Sequence, residues 1–312
     1  MAANAIALMV AVVFSLAQLS AGSRSLMELY VPPESDRLTY HQGGVLSGDI
    51  PVSILWYGKF TPAQRSIVSD FVVSLSSAPN GAATPSVGQW WGTIEQLYLS
   101  KAAAGNGQAG ATHVLLAEQV TDEECSLGRS LTLAQIDQLA ASVGAKKGGI
   151  ALVLTGEDVA VEGFCSSRCG RHGTSAGGDS THIWVGNSEK QCPGQCAWPF
   201  AQPQYGPQGA PLVAPNGNVG MDGMVMVLAT MVAGTVSNPY GDGYYQGPKG
   251  ASLEACSACP GVYGSGAYPG YAGNLLVDPA TGGSYNANGA NGRKYLLPAL
   301  YDPATASCNT LV

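Results

Sequence analysis

Hydrophobic and polar positions between residues 50 and 186 predict strands and helices in turn. The segment 50–56 places an apolar residue at every second position, which is typical of a strand. The run 149–155 is almost entirely apolar and predicts a strand buried on both faces. Shorter apolar runs at 113–116 and 182–185 predict two further strands.

Helix starts are indicated by capping boxes, in which a Ser or Thr is followed three positions later by Gln. Apolar residues follow each box at helical spacing, so we expect a helix after each one. A further helix is predicted from Asp222, as its N-terminal cap, to Val236. Because this late helix is apolar nearly all round, it should be buried. The three boxes are Thr61 to Gln64, Ser86 to Gln89 and Thr132 to Gln135.

The alternation of strands and helices predicts an α/β fold, with a mixed, mostly parallel sheet flanked by helices in a single domain at 23–312. Residues 160–215, around one short strand, and 240–292 are rich in Gly, Pro, Cys, Tyr or Asn, so we expect a disulfide-rich, irregular C-terminal half. Of the 312 residues, 46% are hydrophobic and 11% are charged, which is enough apolar material for a core. The net charge of −7 and the lack of a basic run argue against a nucleic-acid partner.

The first 22 residues have the composition of a secretory signal peptide. An apolar stretch from Ala5 to Leu19 is followed by the small residues Ser-Ala-Gly at 20–22, which suit cleavage. No apolar run reaches the about 20 residues that a membrane span needs. We therefore expect a signal peptide at 1–22 and a secreted mature chain that begins near Ser23, with no membrane span.

The chain has eight cysteines, and in a secreted protein we expect them to form disulfides, because the compartment is oxidising. All lie after residue 120, and up to four bridges are expected with most pairings left open. Cys259 with Cys308 is expected, because this bridge would tie the long Gly- and Tyr-rich loop to the C-terminus. Zinc binding by the 165/169 and 192/196 pairs remains an alternative. The candidates are Cys125, Cys165, Cys169, Cys192, Cys196, Cys256, Cys259 and Cys308.

Candidate catalytic residues are sparse. Residues 173–177 carry the Gly-x-Ser-x-Gly pattern of hydrolase nucleophiles, but that pattern needs a preceding strand and a following helix. Here a strand follows, so we predict no nucleophile at Ser175 and expect the neighbouring His172 to be hydrogen-bonded in a loop. Acidic residues at 118–124 and 157–162 could supply two carboxylates for glycoside hydrolysis. A solvated acidic face is the simpler interpretation.

Tyrosines of the irregular half form a candidate ligand surface, because their rings combine apolar faces with polar tips. Such a surface would suit sugar stacking. Core packing is the alternative for each ring. The five candidates are Tyr244, Tyr245, Tyr263, Tyr268 and Tyr271.

Several segments resemble the plant EXORDIUM or phosphate-induced protein family, and together they cover essentially the whole mature chain. Ala201 departs from the pattern, since His follows Trp-Pro-Phe in many members. The matching segments include Pro85-Ser-Val-Gly-Gln-Trp-Trp91, Phe164-Cys-Ser-Ser-Arg-Cys-Gly-Arg-His-Gly173, Gln191-Cys-Pro-Gly-Gln-Cys-Ala-Trp-Pro-Phe200 and Gly289-Ala-Asn-Gly-Arg-Lys-Tyr295.

The resemblance implies an extracellular, cell-wall-associated plant protein linked to growth promotion and brassinosteroid response, with no established catalytic activity, cofactor or metal. It also implies that some relatives carry His-Glu-x-Ala-Glu on the late helix, where this chain has Thr230, Met231 and Gly234. Zinc hydrolysis needs His or carboxylate ligands and a general base. The helix therefore suits a metallopeptidase-like fold whose site is degenerate.

The leading hypothesis is a secreted, non-catalytic protein that promotes or regulates plant cell expansion through an extracellular protein or cell-wall polysaccharide partner. One alternative is a protein whose role is to bind wall polysaccharide. The other is an apoplastic hydrolase that uses residues the sequence does not single out.

Overall fold

The structure is a computed structural model that describes residues 37–76, 83–100, 102, 111–166, 168–175, 178 and 180–312. The signal peptide predicted at 1–22 lies outside these residues. Strands of three or more residues are β2 (Asp49–Tyr57), β3 (His113–Asp122), β5 (Ile150–Thr155), β7 (Gly170–Thr174), β8 (Thr181–Gly186), β14 (Leu300–Asp302) and β15 (Ser307–Asn309). Two-residue strands are β1 (Thr39–Tyr40), β4 (Ser130–Leu131), β6 (Ala160–Val161), β9 (Tyr244–Tyr245), β10 (Leu276–Val277), β11 (Ser284–Tyr285), β12 (Ala287–Asn288) and β13 (Lys294–Tyr295).

Along the chain, three of the five α-helices come between strands of the central sheet, as the alternating pattern predicts. A π-helical turn, Glu95–Leu99, directly continues the second of them, and 3-10 turns occur at Lys249–Ala251 and Ala290–Gly292. The α-helices are α1 (Pro62–Leu75), α2 (Val87–Ile94), α3 (Leu133–Ser142), α4 (Pro193–Cys196) and α5 (Val219–Ser237).

Five strands form the central sheet in the order β3-β2-β5-β8-β7. The first four are parallel neighbours, and β7 runs antiparallel to β8 at the edge. The prediction of a mixed, mostly parallel sheet flanked by helices is confirmed. The prediction of a single short strand within 160–215 is wrong, because β7 forms there from Gly, Arg, His, Gly and Thr. This half-exposed edge strand has no apolar alternation that would indicate it.

Both faces of the sheet are covered, which explains why its central strands are buried throughout. On β2, Ile54 and Trp56 face the core cluster that contains α1, α2 and α5. The intervening Leu55 and Tyr57 face the second cluster, which contains α3. Every residue of β5 and β8 is buried, so helices on one face alone would leave half of these side chains exposed.

All three predicted capping boxes form, and each places its helix start at the expected position. The late helix differs, because α5 begins at Val219 with Asn218 as its cap. Asp222 lies in the first turn and is 3% exposed. Its two carboxylate oxygens accept hydrogen bonds from the backbone and side-chain nitrogens of Asn216, at 3.0 and 2.6 Å. Burial raises the pKa of Asp222 to about 6, although these hydrogen bonds oppose the shift.

Within the described part of the chain, Val219–Ser237 is the one helix long and apolar enough to cross a membrane. In this fold, 78% of its most apolar window is buried inside the protein. Fifteen of its residues are buried, including Met221, Met224, Met226 and Val236. The burial expected for a helix that is apolar nearly all round is therefore observed.

Three disulfides form, all in the second half of the chain. Cys165–Cys192 and Cys169–Cys196 both span 27 residues and join the segment before β7 to α4, so these two pairs are bridged rather than arranged as zinc ligands. Cys259–Cys308, the bridge that we expected, spans 49 residues.

A fourth disulfide is absent, because Cys125 and Cys256 are unpaired and buried. Cys125 packs in the α3 core cluster and Cys256 in the cluster on the opposite face of the sheet. The two thiols therefore lie in separate cores and cannot meet. Burial raises the pKa of both thiols.

The C-terminal segment from 240 onward contains only short antiparallel pairs: β1 with β9, β10 with β11, β12 with β13, and β14 with β15. A buried amide organises part of it. Asn286 donates to the carbonyls of Tyr263 and Leu297 at 2.8 and 2.7 Å, and accepts from the Leu297 amide at 2.7 Å. In this segment, side-chain hydrogen bonds satisfy backbone groups that would bond to a neighbouring strand in a sheet.

Candidate functional site

Helix α5 carries neither His nor carboxylate at the three positions that the sequence singles out. The hydroxyl of Thr230 donates to the carbonyl of Met226 at 3.0 Å, within the helix. Met231 is half-buried against the core. Gly234 leaves a space that a neighbouring side chain fills, because a Cβ at this position would collide with Glu254 Oε2. These positions serve packing.

Glu254, His172 and Asn238 form a hydrogen-bonded cluster beside Gly234. His172 Nε2 lies 2.7 Å from Glu254 Oε2, and Asn238 Nδ2 donates to Glu254 Oε1 at 2.7 Å. His172 Nδ1 is buried and has no hydrogen-bond partner among the described residues. His172 is hydrogen-bonded, as expected, but it lies on β7 and not in a loop. Since both Glu254 oxygens are engaged, the cluster clamps the loop around residue 254 to the sheet edge and to the end of α5.

Ser175 directly follows β7, and its hydroxyl accepts from the Ser180 amide at 3.2 Å. Residues 176 and 177 of the Gly-x-Ser-x-Gly pattern lie outside the described residues. Nearby, His182 Nε2 lies 3.1 Å from Asp137 Oδ1, and Arg171 contacts both side chains. Burial lowers the pKa of His182, although Asp137 opposes the shift. Among the described contacts, no hydrogen bond joins Ser175 to His182. The strand before Ser175 thus pairs with another strand, β8, that follows it, whereas a hydrolase nucleophile needs a strand-to-helix turn.

Three of the acidic side chains near the strand ends form ion pairs at the surface. This pairing favours the interpretation of a solvated acidic face. No cluster of three or more His, Cys, Asp or Glu side chains with metal-binding geometry occurs in the described ranges. The ion pairs are Arg65–Glu123, Arg129–Asp158 and Lys190–Glu157.

The five candidate tyrosines do not form one surface. Tyr244 is 4% exposed and stacks on Tyr40 with ring centroids 4.6 Å apart, so it belongs to the core. Tyr245 is half-buried and stacks on His41 at 3.7 Å. Both tyrosines lie on β9, which pairs with β1. They secure the N-terminal part of the described chain and are not part of a ligand surface with the other three.

Tyr263, Tyr268 and Tyr271 lie together around Trp198. Tyr263 is half-buried behind the Trp198 ring, at a centroid distance of 6.1 Å. Tyr268 and Tyr271 have centroids 5.1 Å apart and are 65% and 38% exposed. Tyr205, which the sequence analysis does not single out, is 82% exposed on the neighbouring loop.

Trp198, Tyr205, Tyr268 and Tyr271, but not Tyr263, line two adjoining cavities of about 480 and 370 Å³, which share Trp198, Pro203 and Gly270. We call the two together the Trp198 groove. The first cavity is bounded by Tyr205 and Tyr268, and the second reaches Tyr271 and Ala201. The proline residues that line the groove are Pro199, Pro203, Pro207, Pro211, Pro260 and Pro269.

The groove walls are held in place without a ligand. A Cβ on Gly270 would collide with the Pro207 ring, so the two loops that carry Tyr205 and Tyr268 are in direct contact. The Gln208 side chain donates to the carbonyls of Pro203 and Gly206 at 3.0 and 3.1 Å. Proline fixes φ, which further restricts these loops. The groove is therefore largely pre-formed, as ligand sites commonly are.

No Asp, Glu, Lys, Arg or His side chain lines either cavity. The lining residues with polar side-chain atoms are Trp198, Tyr205, Tyr268, Tyr271 and Ser284. Such a lining suits an uncharged partner that offers apolar faces. The sequence carries a signal for this site, because aromatic residues and prolines alternate along 198–205. Tyr268 and Tyr271, which complete the aromatic lining, lie more than 60 positions further along the chain.

The fold and the site together define a class: an α/β protein with helices on both faces of its sheet, followed by an irregular segment tied by disulfides. The irregular segment contributes to a groove with aromatic walls and no charged side chain. The chain belongs to the phosphate-induced protein 1 family, because the model of that family's conserved region matches residues 38–311.

Named relatives agree with this assignment over nearly the whole chain. The chain is 56% identical to Protein PHOSPHATE-INDUCED 1 of Nicotiana tabacum and 55% identical to Protein EXORDIUM of Arabidopsis thaliana, with 96% of each sequence covered in both comparisons. It is 56% identical to Protein EXORDIUM-like 1 of Arabidopsis thaliana, over 87% of this chain and 89% of the relative. No solved structure matches the chain at a significant level.

Proposed function

We propose that this chain is a secreted, non-catalytic protein of the plant apoplast and cell wall that regulates cell expansion by binding an extracellular partner in the Trp198 groove. The observation that carries the proposal is the exposure of Tyr205 and Tyr268 around a pre-formed, uncharged cavity. Exposed apolar surface that is contiguous and concave is typical of interaction sites.

Secretion is supported by two independent features. The signal-peptide pattern at 1–22 precedes a chain with three disulfides, and structural disulfides persist mainly in oxidising compartments. Protein recovered from apoplastic wash fluid should therefore begin near Ser23. Retention of a fluorescent fusion in the cytosol would contradict secretion.

The growth-promoting and brassinosteroid-linked part of the proposal is supported by the family resemblance, and the groove supplies a physical means for it. A protein that acts by binding needs one accessible surface and no reacting side chains. We therefore expect the growth effect to depend on groove residues. The side chains at Thr230, Met231 and Gly234 should matter to growth only through stability.

The test compares groove and non-groove variants in plants that lack the endogenous protein. The parent chain and Tyr240→Ala, which changes an exposed tyrosine outside the groove, should restore cell expansion and its response to added brassinosteroid. The double variant Tyr205→Ala with Tyr268→Ala should not, although it should reach the apoplast in equal amount. Full restoration by the double variant would overturn the proposal.

The non-catalytic part has its own test. Purified secreted protein should show no turnover of glycoside or peptide substrates above that of a sample lacking it. Turnover that follows the protein through purification, and is lost on a single side-chain change, would establish an enzyme.

A further inference from the structure

The Trp198 groove has features that select among neutral ligands, and we propose that its occupant is an extended proline-rich polypeptide in the polyproline II conformation. This inference rests on the proposed function and goes further, because it names the chemical class of the partner.

The first argument is the composition of the walls. Polyproline II segments bind in grooves lined by aromatic rings, where proline rings stack on the ring faces. Trp198, Tyr205 and Tyr268 supply such faces around one cavity, and proline side chains fill the spaces between them. Tyr205 and Tyr268 are 82% and 65% exposed, so a ligand can reach their faces directly.

The second argument is the match of hydrogen-bond donors and acceptors. The indole Nε1 of Trp198 is a donor only, and Trp198 lines both cavities. A polyproline segment has no backbone N–H and leaves its carbonyls free to accept. Sugar hydroxyls need acceptors as well as donors, and the lining residues offer no carboxylate or side-chain amide, only tyrosine and serine hydroxyls, as side-chain acceptors. Donors on the protein and acceptors on the ligand favour the peptide.

The third argument is shape and charge. A polyproline II helix has three residues per turn, so a bound segment faces the protein with two ridges. The two cavities adjoin and share Trp198, so each cavity can accept the side chains of one ridge. The lining carries no charged side chain. A neutral stretch is therefore complementary to it, whereas an acidic or basic peptide would lose hydration without a counter-charge.

Rigidity on both sides makes such binding favourable. The loops that carry Tyr205 and Tyr268 are held by the Pro207–Gly270 contact and by the Gln208 hydrogen bonds. A proline-rich segment loses little conformational freedom on binding.

The binding experiment uses the mature protein, with a blocked polyproline peptide of about ten residues as the probe. A Gly/Ser peptide of equal length and the oligosaccharide cellohexaose serve as comparisons, and isothermal titration calorimetry is the readout. The polyproline peptide should bind with saturation, and neither comparison should. Tyr205→Ala and Tyr268→Ala should each weaken binding about ten-fold, the loss of one well-placed aromatic contact. Tyr240→Ala should bind like the parent.

A second variant separates stacking from hydrogen bonding. Trp198→Phe keeps an aromatic face and removes the Nε1 donor, so it should weaken binding of the peptide several-fold while the thermal unfolding midpoint stays close to that of the parent. Failure of the polyproline peptide to bind, or equal binding by all the groove variants, overturns the inference. Binding of cellohexaose that is lost with Tyr268→Ala also overturns it, but leaves the proposed function intact. The proposed function fails instead if the double tyrosine variant restores growth.

Discussion

The central sheet and the segment from residue 240 onward reach an ordered state by different physical means. The parallel strands β2, β5 and β8 are buried on both faces, and no disulfide joins one strand to another. The C-terminal segment has two- and three-residue strands, a buried asparagine that bonds three backbone groups, and the Cys259–Cys308 bridge. Burial of apolar surface holds the first region, and specific links between loops hold the second.

One side of the Trp198 groove, which includes Tyr268 and Tyr271, lies on the region that depends on links. Tyr268 and Tyr271 lie inside the loop closed by Cys259 and Cys308. A binding loop needs accessible rings, so it cannot gain stability by burying them. Covalent and hydrogen-bonded links therefore stabilise the loop while its aromatic faces stay exposed.

Removing the long bridge should give the largest effect. Cys259→Ser with Cys308→Ser opens a loop of 49 residues, which lowers the unfolding free energy by about 4 kcal/mol if chain entropy dominates. Hydrogen exchange should show lost protection in 259–308, while the amides of β2 and β5 exchange as in the parent. Equal loss of protection in the sheet would show that the two regions are not held independently.

Asp222 lies where the two regions meet, because Asn216 donates both to its carboxylate and to the carbonyl of Lys294 in the C-terminal segment. The stability of the fold should depend on pH through this carboxyl group. The pKa of Asp222 is about 6 in the fold against 3.8 as its ordinary value. The buried carboxylate thus destabilises the fold increasingly as pH rises from about 4 to about 6, by roughly 3 kcal/mol in full. Between pH 4 and pH 7, the unfolding free energy of Asp222→Asn should therefore rise relative to that of the parent, by most of that amount.

Asp278→Asn is the matched control for this titration. The hydrogen bond from Lys294 lowers the pKa of Asp278, so its carboxylate stabilises the fold above the ordinary pKa and loses that effect as pH falls. The Asn variant should therefore lose stability relative to the parent as pH rises. A shift of the same sign in both variants would contradict the assignment of the Asp222 effect to burial.

The smallest expected effect lies on the late helix. Met231 is half-buried, so Met231→Ala should lower the unfolding free energy by less than about 2 kcal/mol. Met224 is 1% exposed, and Met224→Ala should exceed that cost, within roughly 2–5 kcal/mol. Chemical denaturation of the two variants measures the difference. Equal costs would indicate that Met231 is as fully enclosed as Met224.

Sequence periodicity predicts the region held by burial well, because local patterns there report directly on which faces are covered. The alternation in 50–56 and the three capping boxes correspond to β2 and to the starts of α1, α2 and α3. The pattern misses β7, whose pairing with β8 depends on backbone hydrogen bonds and not on apolar side chains. It also misplaces the start of α5, since Asn218 and Asp222 are both acceptable caps.

The candidate site is only partly predictable, because long-range packing assembles it. Composition points to Tyr268 and Tyr271, but gives equal weight to Tyr244, which the fold buries against Tyr40. Trp198 is brought to this part of the fold by packing against Tyr263, which is 65 positions further along the chain. Cysteine count suggests four bridges, whereas burial of Cys125 and Cys256 in separate cores leaves three.

The contact between Gly234 and Glu254 has a consequence for how this sequence can change. One small volume beside α5 accommodates either a side chain at 234 or the carboxylate from the loop, since the two would overlap. A mutation that introduces an acidic residue at 234 would be harmful while Glu254 is in place. Losing Glu254 first would release His172 and Asn238 from their shared partner. The two positions are thus epistatic, and an acidic side chain at 234 requires both to change together.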